Sequence, residues 1–280
     1  MWRGAGLTGR PAAPPVPGMS PDAMFLIELA TRMAVTAVFL VAATAVAERS
    51  GPFLGGLVAT LPISAGPVYL FLSLDHDAAF IAASALTSLA ANAVTGLFAL
   101  VYILVAQVRG AVVSLLVTLG FWIVAISALR GFVWTLAGAL ALNAASYIVA
   151  VPVARRFRSA KFRPPRRRWY DVPLRAGLVA VLVATVIGLS TRVGPALTGM
   201  LAVFPVVLTS LILIFHPRIG GPATAAILAN TLPGLVGFAA ALITLHLAAV
   251  PLGKPAALIL AFLVSILWNL TLWANRHRGW

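Results

Sequence analysis

Two acid–arginine pairs, Glu28 with Arg32 and Asp171 with Arg175, have types and spacing that could do chemistry. On a helix, side chains four apart are neighbours, so each pair can close a salt bridge or turn an arginine toward an anionic group. Two longer segments also answer each other: RSGPFLGGLVATLP at 49–62 and RVGPALTGMLAVFP at 192–205, offset by 143. A proline inside a helix removes one backbone donor and clashes with the turn before it. In lipid the freed carbonyl persists only where protein or a water-filled cavity surrounds it. Pro62 and Pro205 therefore read as breaks lining a substrate path, with Gly56 and Gly199 letting another backbone come close. Asn92 and Asn230 are a third matched pair, each in an Ala-Asn-x-x-x-Gly-Leu sequence inside an apolar span.

Each of these has a purely structural alternative. Gly and Pro are common in membrane helices, arginines near helix ends snorkel to the interface, and buried asparagines bond helix to helix. Asp75-His76-Asp77 could ligate a metal or take up protons, but three adjacent loop residues read first as a solvated turn. No metal site is expected. Zinc-protease, nucleophile-elbow and phosphate-loop motifs are absent, and six acids leave little for acid–base work, so no enzyme and no cofactor are expected. With no cysteine, there are neither disulfides nor thiolate ligands.

The elements that must position these residues follow from composition. At 61% hydrophobic and 9% charged, the chain lacks the polar surface of a soluble domain. Apolar runs at 24–47, 53–73, 79–106, 111–129, 132–153, 172–190, 195–215, 222–247 and 255–274 are each near the ~20 residues that cross a bilayer. Ala45-Val46-Ala47 resembles a signal-peptidase site, yet the first run has a counterpart at 171–190, which favours its retention. The expected class is an all-α polytopic membrane protein of about nine helices. Residues 1–22 form a Pro/Gly/Ala-rich tail in which Met19, or Met24 just beyond it, could be the true start. Repeat 1 then covers 23–130, a linking helix 131–153, a basic loop 154–170, repeat 2 171–275 and a short tail 276–280.

Four helices return the chain to its starting side and the linking helix crosses once more. The second unit then enters from the opposite face, and the repeats are inverted, an architecture shared by many secondary transporters. Arg3, Arg10, Arg130, Arg192 and Lys254 would face one side; Arg49, Arg109, Arg218, Arg276, Arg278 and the run at 155–168 the other. The positive-inside rule puts the second side, with the C-terminus, in the cytoplasm and the N-terminus outside. The run RRFRSAKFRPPRRR belongs with anionic lipid headgroups; no folded domain flanks it to present that charge to nucleic acid.

Gly199-Met200-Leu201-Ala202-Val203-Phe204-Pro205, and Gly56 to Leu61-Pro62, also resemble the Gly-Leu-x-x-x-Phe-Pro-like segment of short four-helix bacterial membrane proteins of the GlpM type. That resemblance covers about a hundred residues of each half and implies a duplicated bacterial inner-membrane protein, carrying no catalytic residue. The expected function is a small transporter or lipid flippase for an unidentified solute or lipid, as a single chain or a homo-oligomer. The alternatives are an accessory subunit of an envelope-assembly complex and, less well supported, a membrane-embedded lipid enzyme.

Overall fold

The computed structural model describes residues 27, 29–38, 41, 65–158 and 168–276. The first signature copy (49–62, with Gly56 and Pro62), Glu28, the tail 1–22 and most of the basic run (159–167) lie outside the described residues. Nine helices and no strand are present among those described. They are α1 Leu29–Val38, α2 Ala65–Asp75, α3 Ala78–Val105, α4 Ala111–Leu129, α5 Leu136–Arg155, α6 Asp171–Ala202, α7 Val206–Ile219, α8 Gly221–Leu252 and α9 Lys254–Arg276. Six of them, α3 to α6, α8 and α9, are long and apolar enough to cross a membrane. The chain is an all-helical multi-pass membrane protein.

α3 is the axis. Its apolar window is 72% buried, against 22% for α4 and α9 and 28% for α5. The cause is its composition: Ala, Ser, Thr and Gly surround the whole helix, so neighbours approach closely on every side. It packs against α4, α5, α6 and α8, and α8 in turn against α9. Asp77 caps its N-terminus by accepting the Phe80 N–H at 2.8 Å. Outer helices show the reverse pattern. α4 buries only Ser114, Thr118, Trp122 and Ile126, one residue per turn. It exposes Val112, Leu116, Ile123 and Val124, as lipid contact requires.

Contacts between chain-distant residues fix the direction of each helix. At the near end, where α3 begins, His76 reaches Ser190 near the close of α6's first segment, and Lys254 Nζ donates to the His76 carbonyl at 2.7 Å. At the far end, where α3 finishes, Tyr102 meets His216 of α7, and Gly221 lies hard against the Ala106 carbonyl. The chain therefore alternates along α3, α4, α5, α6 and then α7, α8, α9. The segment expected as one span at 195–215 is two helical pieces. Gly194 adopts φ 72°, which only glycine enters without strain, and Pro195 starts a short helix that ends at Ala202. Helical geometry resumes at Val206, after Val203, Phe204 and Pro205.

Exposed Val108 and Trp169 sit at the far end and Val133 at the near end. Because the native chain has no cysteine, single cysteines at these positions read topology directly. Val108→Cys and Trp169→Cys should react with an impermeant maleimide from one side of the membrane and Val133→Cys from the other. Opposite labelling of the first two would refute the helix directions.

Candidate functional site: the broken helix and its two ends

The break after Ala202 is built by what Pro205 withholds and what α3 supplies. Ser84, Thr87, Ser88 and Thr95 lie on one face of α3 at helical spacing. Their hydroxyls meet the broken segment carbonyl by carbonyl. Ser84 Oγ donates to Pro195 O at 3.1 Å, Ser88 Oγ to Gly199 O, and Thr95 Oγ1 to Val203 O at 3.3 Å. The three carbonyls are four residues apart, so they form one line facing one helix. Such bonds need backbone-to-backbone closeness, which Gly199 permits. A Cβ there would collide with the Ser84 carbonyl and the Thr87 hydroxyl. The hydroxyls went unnoticed in the sequence, although four hydroxyl residues on one face of an apolar helix are a readable signal.

Asn92 has no exposed surface and ties three helices. Its Nδ2 donates to Asn143 Oδ1 and to Leu235 O, both at 3.1 Å. Asn143 Nδ2 donates to Leu89 O at 2.6 Å, and Tyr147 OH to Asn92 O at 3.1 Å. The partner of Asn92 is thus Asn143 of α5. Asn230, its counterpart in sequence, lies exposed on α8 and donates back to Ala226 O at 2.8 Å. The two asparagines do not face a common space. Repetition in sequence preserved the helix but not the side-chain environment.

Two of the arginines bridge between helices. Arg32 of α1 forms a two-pronged bridge to Asp75 at the end of α2 and lies over the Phe71 ring at 5.7 Å. In the second half, both Asp171 oxygens accept from Arg218 of α7, one at 2.9 Å, while Arg175 lies over Phe215 at 5.8 Å. To the expected neighbour Arg175, whose charge also favours the Asp171 carboxylate, the structure adds a bridge across two helices. Both bridges are largely shielded, with side-chain exposures of 10% and 18% at the near end and 12% and 11% at the far end. Paired guanidinium and carboxylate in two-point geometry hold helices in register.

The Asp75-His76-Asp77 turn is only partly solvated: Asp77 is exposed, while Asp75 and His76 are half-buried. Asp75 is bridged, Asp77 caps α3, and His76 stacks on Phe80 at 3.7 Å with Nε2 2.8 Å from Ser190 Oγ. Burial holds the His76 ring below the ordinary histidine range, against the pull of Asp75 and Asp77, with Lys254 pushing the same way as burial. Among the described residues no cluster of His, Asp or Glu has the makings of a metal site. From the fringe of the basic run, Arg158 Nε donates to Ala229 O at 3.3 Å, the carbonyl that Pro233 leaves without its helical donor.

Comparison with protein families, with curated proteins and with solved structures finds no match for this chain.

Two measurements follow from this geometry. Gly199→Ala should destabilise the purified protein by about 1–3 kcal/mol through overpacking. Gly188→Ala, whose Cβ would meet nothing within 4 Å, should be neutral or stabilising in the same thermal scan. For His76, a folded pKa below the unfolded value means its contribution is complete above the unfolded pKa. That contribution is lost as pH falls toward the folded one. The melting temperature should drop on acidification below about pH 6.5, and His76→Gln should flatten that drop. An unchanged pH profile in the variant would exclude the role.

Proposed function

We propose that this chain is a small transporter or lipid flippase of a bacterial inner membrane, built from inverted repeats at 23–130 and 171–275. The observation that carries the proposal is the interrupted helix 195–219: its break lies inside the bundle and is answered by hydroxyls rather than by apolar side chains alone. Discontinuous helices of this kind form the binding sites of many secondary transporters.

The two Arg–Asp bridges support inversion. Asp75 and Arg218 are equivalent under the offset of 143, as are Glu28 with Asp171 and Arg32 with Arg175. One bridge joins α1 to the end of α2 at the near end, and the other joins α6 to the end of α7 at the far end. Their polarity is reversed, arginine on α1 in one and on α7 in the other. Such bridges suit gates that open in turn. Exposed Arg155, Arg156 and Arg168 fit anionic headgroups on the cytoplasmic side, and the C-terminus shares that side. The likeness to GlpM-type proteins rests on the signature residues. No catalysis is assigned.

One observation favours an accessory, non-transporting subunit: Trp122 packs edge-on against Phe204 at the break, ring centroids 4.9 Å apart. Isosteric cysteines separate the two readings. In a path, Ser84→Cys and Ser88→Cys should react with a small polar maleimide from at least one side of the membrane, and reaction should fall when Arg32→Ala unbalances the near-end bridge. Protection of both cysteines from both sides, in a protein that inserts normally, would remove the transporter reading and leave the accessory one.

A further inference from the structure

α7 begins inside the bundle with its N-terminus uncapped. Pro205 stands at the cap position with ψ 52° and no side chain accepts from the first turn. Helix N-termini are normally closed by Ser, Thr, Asp or Asn; left open, they carry about half a positive charge. The position is deep: Val203 is held by Thr95, about 26 Å along α3 at 1.5 Å per residue.

Two side chains at the same break are also without partners. Trp122 Nε1 and Thr209 Oγ1 are buried and make no hydrogen bond among the described residues. Thr209 lies one turn into α7, its own N–H donating to Pro205 O at 2.8 Å, and is 7% exposed. Trp122 comes from α4, 4% exposed, its ring edge-on to Phe204 at an interplanar angle of 84°. An indole N–H can only donate, and a hydroxyl donates when an acceptor faces it. Leaving such groups unpaired in a low-dielectric interior is costly, and native structures rarely do so without a reason. Of the described acids, Asp75 and Asp77 stand at the near end of α3 and Asp171 at the far end. None can supply the missing acceptor.

We infer that the break binds an oxyanion, a carboxylate or phosphate oxygen, at the N-terminus of α7, with Trp122 Nε1–H and Thr209 Oγ1–H as its side-chain donors. This deepens the transporter reading and rests on it: the substrate carries such a group, either as a soluble anion or as a lipid headgroup. Three donor sets, with no cation beside them among the described residues, make a site that holds an anionic oxygen without trapping it, as a passing substrate requires.

The test is thermal unfolding of the purified full chain, followed by its tryptophan fluorescence. One arm titrates acetate and inorganic phosphate against chloride at fixed ionic strength. The other compares nanodiscs of phosphatidylglycerol with nanodiscs of phosphatidylcholine. The wild type should be stabilised by acetate or phosphate beyond chloride if the substrate is soluble, or by phosphatidylglycerol alone if it is a lipid. Thr209→Val keeps shape and removes the donor, and Trp122→Phe removes the indole N–H together with part of the ring. Each should weaken the response about tenfold or more, while ligand-free Thr209→Val melts no lower than wild type because an unpaired hydroxyl has gone. Thr209→Ser should restore the response. A wild type indifferent to every probe, or variants that respond as the wild type does, would overturn the site. Labelling of Ser88→Cys in a chain that ignores all anions would keep the path and discard this site; protection of Ser88→Cys with an intact anion response would do the opposite.

Discussion

A backbone carbonyl in hydrocarbon has no water to turn to, and the interruption of the helix at Val203–Pro205 exposes several. Much of the bundle follows from satisfying them. α3 brings hydroxyls to Gly199 and Val203, whose helical donors the interruption removes, and a further one to Pro195 at the start of the same segment, so it lies at the centre and carries Ser84, Ser88 and Thr95 on one side. It must come close, so residue 199 is glycine and α3 is rich in small side chains. Once α3 is buried on that side, α5 and α8 can close the others through Asn92, Asn143 and Tyr147. α4 and α9 are left to meet lipid. A similar device recurs in α8, where Arg158 answers the Ala229 carbonyl near Pro233.

Charge is spent at the ends and withheld from the middle. Arg32–Asp75 and Asp171–Arg218 sit where α3 begins and finishes, each shielded from solvent and each paired in two-point geometry. Breaking a shielded pair by removing one partner costs more than the pair itself contributes, because the remaining charge is stranded. These bridges therefore act as registers between α1 and α2 and between α6 and α7. Among the described residues the interior between those ends is lined by hydroxyls, amides and an indole.

Helix existence was readable from hydropathy: the runs at 79–106, 111–129 and 222–247 reappear, within a few residues, as α3, α4 and α8. Hydropathy could not show that 195–219 is two pieces, but Gly-Pro and the later proline did, because both residues restrict backbone geometry locally. Partnerships were not readable. The i,i+4 rule put Asp171 with Arg175, whereas Arg218 reaches both its oxygens from a neighbouring helix. Asn92 was matched to Asn230 by sequence and to Asn143 by space. The partners of His76, Ser190 and Lys254, were not readable because they lie more than a hundred residues away in the chain.

The sequence by itself determined that this chain lives in a membrane, roughly where its helices run, that a Gly-Pro turn at Gly194 and Pro195 parts two of them, and that the second breaks at Pro205. These are consequences of composition and of the local stereochemistry of glycine and proline. Tertiary structure alone decided which carbonyl each hydroxyl of α3 meets, which acid each arginine takes, and that Trp122 and Thr209 stand unpaired at the mouth of α7. A hydrogen bond depends on a few ångströms and an angle. Those are set by how helices far apart in the chain are pressed together, and no local pattern encodes them.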